Sequence, residues 1–151
     1  MIIVETPNRW SCLPCAFATA TDTPLEKILR VIGHDGSEII WYDLSEPECR
    51  RSFVGTELVK AMYQLGYLAT RFDTTIDISQ DEERNLRIDD TEFVKGVMTF
   101  SIGVITGIVR STGKWHAVAW DGLRCLDPNG FIYPLEKFEM HSYYLVTRIS
   151  L

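Results

Sequence analysis

The chain has 151 residues, 46% of them hydrophobic and 24% charged, with a formal net charge of −6 at pH 7. That length supports one domain, 1–151, with a core of its own, and the acidic balance argues against a nucleic-acid partner, because such binders present a basic stripe. No apolar run of about 18 residues is present, so no membrane-spanning helix and no membrane partner are expected; the opening Met1-Ile2-Ile3-Val4-Glu5-Thr6-Pro7 has neither the basic region nor the apolar core of a secretion signal, which points to the cytoplasm.

In chain order, Ile2–Val4 reads as a short strand. Cys12-Leu13-Pro14-Cys15-Ala16-Phe17-Ala18-Thr19-Ala20 is rich in small residues, and Pro14 fits a helix only within its first turn. Ser11 is the expected N-cap, which sets Cys12 at a helix amino end. A second helix is expected from Pro24 to Ile32, capped by Thr23, with Glu26 completing a capping box and Gly33 ending it. Its apolar residues Leu25, Ile28, Leu29 and Ile32 follow helical spacing. Residues 34–53 predict irregular chain, with an apolar patch Ile39-Ile40-Trp41-Tyr42 suited to pack over the helices. A third helix is expected from Glu57 to Leu65, between Thr56 as cap and Gly66 as stop, followed by a strand from Tyr67 to Phe72. Residues 73–90 are charged and aperiodic, the pattern of a surface loop, and Thr91 is placed to cap a short helix through Met98. Phe100–Val109 is rich in β-branched residues and predicts a strand. A hairpin with arms at 115–120 and 123–127 and a last strand from Tyr143 to Ile149 follow. Helices first and strands last make an α+β fold, N-terminal helices packed on a C-terminal antiparallel sheet.

The hairpin carries the chemistry. Asp121-Gly122 between apolar runs is the favoured two-residue turn, because both positions need φ > 0. Centred there, the turn pairs Trp120 with Leu123, Val118 with Cys125 and His116 with Asp127, and opposed residues share a face with Cβ atoms about 4.5–5.5 Å apart. An imidazole beside a carboxylate has its tautomer fixed and its protonated form supported. Such a pair asks for a nucleophile, and Cys12 supplies one. Unpaired N–H groups and partial positive charge at a helix amino end stabilise a thiolate, and the same N–H groups can hold a tetrahedral oxyanion. A cysteine alone reads as a small buried hydrophobe; one at a helix start, with the His116/Asp127 hairpin, reads as a triad.

Ser11-Cys12-Leu13-Pro14-Cys15-Ala16-Phe17-Ala18, with His116-Ala117-Val118-Ala119 and Leu126-Asp127-Pro128, resembles the papain-like cysteine peptidases. The closest branch is the one that includes bacteriocin leader-processing (double-glycine) peptidases and small bacterial and phage proteins. The resemblance implies a papain-like α+β fold with the catalytic Cys opening a small-residue helix, the His on a strand and the Asp, followed by Pro, on the next. Cys12, His116 and Asp127 are the matching residues. It implies a peptide or protein substrate and neither cofactor nor metal; deamidation and acyl transfer use the same apparatus. Members of the family commonly carry a Gln several residues before the Cys as an oxyanion donor. Residues 1–11 hold none here, and Asn8 is the nearby side-chain amide, placed either to substitute or to cap a turn.

Other readings compete. Cys15, one helical turn on, is an alternative nucleophile. Cys12-Leu13-Pro14-Cys15 after Trp10 also has the form of a thiol–disulfide exchange motif, yet neither Pro47 nor Pro134 suits the facing cis-proline loop, and that chemistry leaves His116 and Asp127 unused. A zinc site would need Cys12 and Cys15 with two among Cys49, Cys125, His34, His116 and His141, and a single Cys-x-x-Cys is weak support for it. With reducing cytoplasm expected, all four cysteines are expected as thiols, Cys125 as a packed one. His34 is expected in a turn at a helix end and His141 in a solvated connection; Trp115 and Trp120 are placed either to wall the substrate cleft and fill the core respectively or, as aromatics in strands more often do, simply to pack. The acidic run 77–90 has no EF-hand spacing. From a different class of function, a non-catalytic protein of this fold that binds and modulates a host protein is favoured by the missing Gln and opposed by the intact Cys, His and Asp.

Overall fold

The computed structural model describes residues 1–41, 49–77 and 87–149; Tyr42, Pro47 and most of the acidic run 77–90 lie outside them. Helix α1 spans Cys12–Thr21. Ser11 occupies its N-cap position without a side-chain capping bond. Proline at the third helical position explains part of this, since a capping hydroxyl normally takes the N–H of the second or third residue and Pro14 has none. The helix ends through Asp22 in the left-handed region at φ 52°, and the Thr23 N–H returns to Ala18 O at 3.1 Å. That curl turns the Thr23 hydroxyl onto Thr21. Helix α2, Leu25–Ile32, is therefore entered through Pro24 with no side-chain cap, contrary to the expected Thr23–Glu26 box; Gly33 ends it as expected.

Residues read as irregular contain a two-stranded sheet, β1 (Ile39–Trp41) with β2 (Cys49–Arg50). Ile40 is half-exposed there; Tyr42 and the side chain of Trp41, the rest of the expected apolar patch's aromatic end, lie outside the described residues. Helix α3 spans Gly55–Gln64, two residues earlier than the Thr56 cap predicts. Its start is held by the Glu57 carboxylate, which accepts the Val54 N–H at 3.1 Å. Strand β3 is Tyr67–Asp73. The expected loop 73–90 is a second small ribbon at its ends, β4 (Thr75–Asp77) against β5 (Arg87–Asp89). Helix α4 covers Thr91–Met98, with Thr91 inside it and the Asp89 carboxylate accepting the Thr91 N–H at 2.9 Å. Then come β6 (Gly103–Val109), β7 (Lys114–Trp120), β8 (Cys125–Asp127), β9 (Phe131–Tyr133), a 3-10 turn (Leu135–Lys137) and β10 (Phe138–Arg148). Ile2–Val4 forms no strand, and β10 begins five residues before the expected Tyr143.

The main sheet is antiparallel with order β3-β10-β6-β7-β8-β9. Alternation splits its side chains between two cores. Ala69, Val104, Ala117 and Tyr144 pack with Ala16, Phe17 and Ala18 of α1, Ile28 of α2, and Leu58 and Met62 of α3. Their neighbours Ile105, Val118, Trp120, Cys125, Phe138 and Tyr143 pack with Val94 and Met98 of α4. The fold is thus mixed α+β, as expected, with helices on both faces and one sheet strand, β3, drawn from the first half of the chain. No helix among the described residues is long and apolar enough to cross a membrane.

The β7–β8 connection departs from its expected register. Trp120 pairs with Cys125 and Ala119 with Leu126, so the turn holds four residues. Asp121 makes the difference: its Oδ1 accepts the N–H groups of Leu123 at 2.9 Å and Arg124 at 2.7 Å, and its Oδ2 takes the Arg124 guanidinium. An aspartate that satisfies the amides ahead of it builds an Asx-type loop instead of the tight turn. The slip is two residues, the repeat of a strand, so Asp127 keeps the face it shares with His116.

Candidate active site

Cys12 is the first residue of α1 and is half-buried. The Ser11 carbonyl takes the Cys15 N–H at 3.1 Å, beginning the helix. The N–H groups of Cys12 and Leu13 precede that bond and have no intrahelical partner, and Pro14 has none to offer. A sulfur atom and two unspent amide donors therefore stand together.

His116, opposite Gly107 of β6, is 9% exposed. Its Nε2 donates to Asp127 Oδ1 at 2.7 Å. That leaves Nδ1 free, and Cys12, which lines the same cleft, lies near enough to act on the imidazole. Burial by itself would lower the imidazole's proton affinity. The hydrogen bond to Asp127 and its charge, with a further contribution from nearby Cys12, outweigh burial and raise it to about 9. Gly107 is required at its place because a side chain there would collide with the Glu139 carbonyl and the Phe138 ring.

Asp127 is 3% exposed yet fully satisfied. Besides His116 it takes the Asn129 N–H on Oδ1 at 2.8 Å and the Tyr133 hydroxyl on Oδ2 at 2.6 Å. Burial pushes its carboxyl up, and the bonds from His116, Tyr133 and Asn129 overcome that and hold it below the ordinary value. Tyr133 itself is pushed well above the usual phenol range by burial and by the carboxylate, so it remains a donor. The sequence reading missed Tyr133, although the signal was present. Asp127-Pro128-Asn129-Gly130 has Asp, Pro and Gly at the first, second and fourth positions that a type I turn favours. The Gly130 N–H does return to Asp127 O at 2.8 Å, and Gly130 lies at φ 93°. The turn starts the β8–β9 hairpin, in which Tyr133 faces Cys125 and reaches diagonally to Asp127.

These residues open on a cleft of about 780 Å³. Asn8 lines it, but its side-chain oxygen is occupied: Oδ1 accepts the Trp10 N–H at 3.1 Å, the turn-capping role. Its amide group is the part left to act as a donor. The segment bearing Asn8 is tied across the site by the Thr6 N–H to Pro128 O, at 2.9 Å. Trp115 borders the cleft at 61% exposure, with its ring edge-on to His141. Trp120 is buried and donates to Met98 O.

Cys15, the alternative nucleophile, is fully buried in the core, faces Glu5 O at 3.9 Å, and has its thiol pushed up to about 11 by burial. Cys125 is a buried core thiol raised to about 12 for the same reason. His34 sits past the α2 end as expected: its Nδ1 accepts the Gly36 N–H, so Nε2 carries the hydrogen shared with Glu57 at 2.5 Å, and its ring stacks on Phe53. His141 is exposed but lies within β10, at the bulge between Met140 and Ser142, not in a connection. Among the described residues no group of three or more His, Cys, Asp or Glu is arranged to hold a metal. Compared with known proteins, the chain matches no protein-family model and no curated sequence.

Proposed function

We propose that the protein is a cysteine-dependent hydrolase or acyl-transferase of papain-like architecture, acting on a peptide or amide bond through Cys12, His116 and Asp127. One observation carries this reading: the cysteine that opens α1 shares a cleft wall with an imidazole whose Nε2 is fixed by a buried carboxylate at 2.7 Å. Such an arrangement has no packing purpose, since it puts two ionisable groups in low dielectric at the wall of a cleft.

With the imidazole raised to about 9, His116 holds its proton at neutral pH, and in this mechanism the Cys12 sulfur attacks as the thiolate. The sulfur attacks the substrate carbonyl carbon, forming a C–S bond while the carbonyl electrons move to oxygen. The Cys12 N–H and the Asn8 amide are the donors available to that oxyanion. Collapse breaks the C–N bond as His116 gives its proton to the departing amine, leaving a thioester. Water, or another acceptor, then attacks the thioester carbon and passes a proton to His116; the acyl group leaves as acid or new amide, and Cys12 is again the thiolate. Asp127 keeps the ring oriented through both halves, and Tyr133 and Asn129 keep Asp127 in place.

The test is the second-order rate of Cys12 alkylation by iodoacetamide across pH. In the wild type it is expected to exceed that of an exposed model thiol, with Cys15→Ala unchanged and His116→Ala reduced to the model rate. A wild-type Cys12 no faster than the model thiol sinks the reading and leaves a binding protein on this scaffold.

A further inference from the structure

The chain as a whole is acidic, at −6, yet the cleft is cationic. Its charged lining comprises Arg9, Lys114 and Lys137 with His116, against one described carboxylate, Asp127, already covered by three donors. Glu136, beside Lys137, and Glu5, beside Gly130, fall outside the lining. Strand pairing places the two lysines. Val109 of β6 pairs with Lys114 on one side and with Phe138, next to Lys137, on the other. Both lysines are exposed, and among the described residues neither ammonium has an ion-pair partner. Arg9 lies over the Trp10 ring, 5.7 Å from its centre.

Beside these cations stand three apolar side chains that the core leaves out: Trp115, Phe131 and Ile132, at 61%, 65% and 51% exposure. Two of them belong to β9, which ends the sheet and pairs only with β8 among the described residues. An open strand edge accepts an extended peptide by backbone hydrogen bonds, with alternate side chains sampled by neighbouring pockets.

Building on the thiol-hydrolase reading, we infer that the cleft selects an extended peptide segment with an acidic side chain next to a bulky apolar one. The segment lies along β9, its carboxylate toward Lys114 and Lys137 and its apolar group against Trp115, Phe131 and Ile132. The low-dielectric walls of a cleft focus such a field, so charge selection survives in a protein of opposite net sign.

Charged methanethiosulfonates test the charge component without requiring turnover. Modification of Cys12, followed by mass spectrometry, is compared for anionic sulfonatoethyl, cationic trimethylammonioethyl and neutral methyl reagents. At 10 mM salt the anionic reagent is expected to react about tenfold or more faster than the cationic one. The gap should close in 1 M salt, where the screening length is about 3 Å, and shrink toward unity in Lys114→Gln/Lys137→Gln. Fluorogenic peptides supply the second arm: a Glu–Phe segment should show a higher kcat/KM than Lys–Phe or Glu–Gly. Fast neutral labelling with equal rates for the two charged reagents, or equal kcat/KM for Glu–Phe and Lys–Phe peptides, overturns the inference and leaves the thiol chemistry standing. Slow labelling by the neutral reagent overturns the thiol reading instead.

Discussion

Asp127 does two things at once: it orients His116 and keeps it charged. Replacing it with Asn removes that charge and leaves Cys12 alone to oppose burial, so the His116 midpoint should fall from about 9 toward its ordinary value near 6.5. NMR titration of the ring protons measures this directly, and Cys12 alkylation should slow roughly 10²-fold. The pair also couples pH to stability. Because folding raises the imidazole from 6.5 to about 9, its contribution, roughly 3 kcal/mol, is complete below pH 6.5 and lost as pH rises through 9. Folding lowers Asp127, so its contribution is present above pH 3.8 and lost as pH falls through the lower folded value. Urea midpoints should therefore peak between about pH 4 and 6.5 in the wild type, and the alkaline decline should shrink in Asp127→Asn. A decline of the same size in the variant would show that other groups set it.

At the scale of elements, the β7–β8 hairpin shows why part of the site was legible in the sequence. The turn chemistry was misjudged, because Asp121 caps a four-residue loop, but a two-residue error is invisible to a pattern that repeats every two residues. His116 and Asp127 therefore came out on one face from a wrong register. Tyr133 had no such protection. Placing it required recognising the next turn, and β9 is only three residues long. The ribbons β1–β2 and β4–β5 were missed for a related reason: strands of two or three residues carry too few alternations to register as a period. The α3 start was misplaced by two residues because a carboxylate downstream, Glu57, did the capping expected of the Thr56 hydroxyl. Periodicity also makes a prediction. Deleting Leu123 and Arg124 joins Asp121-Gly122 directly to Cys125, a two-residue turn that leaves Trp120 opposite Cys125, so Cys12 alkylation should be unchanged. Inserting one alanine between Leu126 and Asp127 turns the carboxylate to the other face and should slow alkylation as Asp127→Asn does.

For the whole molecule, the sheet divides the interior into two compartments that share a backbone and little else. Phe17, from α1, fills one, and Met98, from α4, fills the other; both are fully buried or nearly so. Phe17→Ala should cost about 3–5 kcal/mol and Met98→Ala about 2–5 kcal/mol. Their effects should add to within about 0.5 kcal/mol, because among the described residues the two clusters have no member in common. The two should differ in function. Loosening the α1 compartment moves the thiol against His116 and should slow alkylation in the folded state; the α4 variant should leave it alone. Denaturation and labelling of the same samples separate the cases.

The bond from the Thr6 N–H to Pro128 O has a consequence in time as well as in space. It fastens the segment that carries Asn8 and leads into Cys12 to the turn that follows Asp127, so the two walls of the cleft come from opposite ends of the polypeptide. On a ribosome, Cys12 leaves the exit tunnel more than a hundred residues before Asp127. Until β7 and β8 have emerged and closed onto α1, the thiol has no imidazole beside it and no carboxylate behind that. For the proposed chemistry, then, assembly of the site belongs to a late step of folding, when the longest-range contacts form.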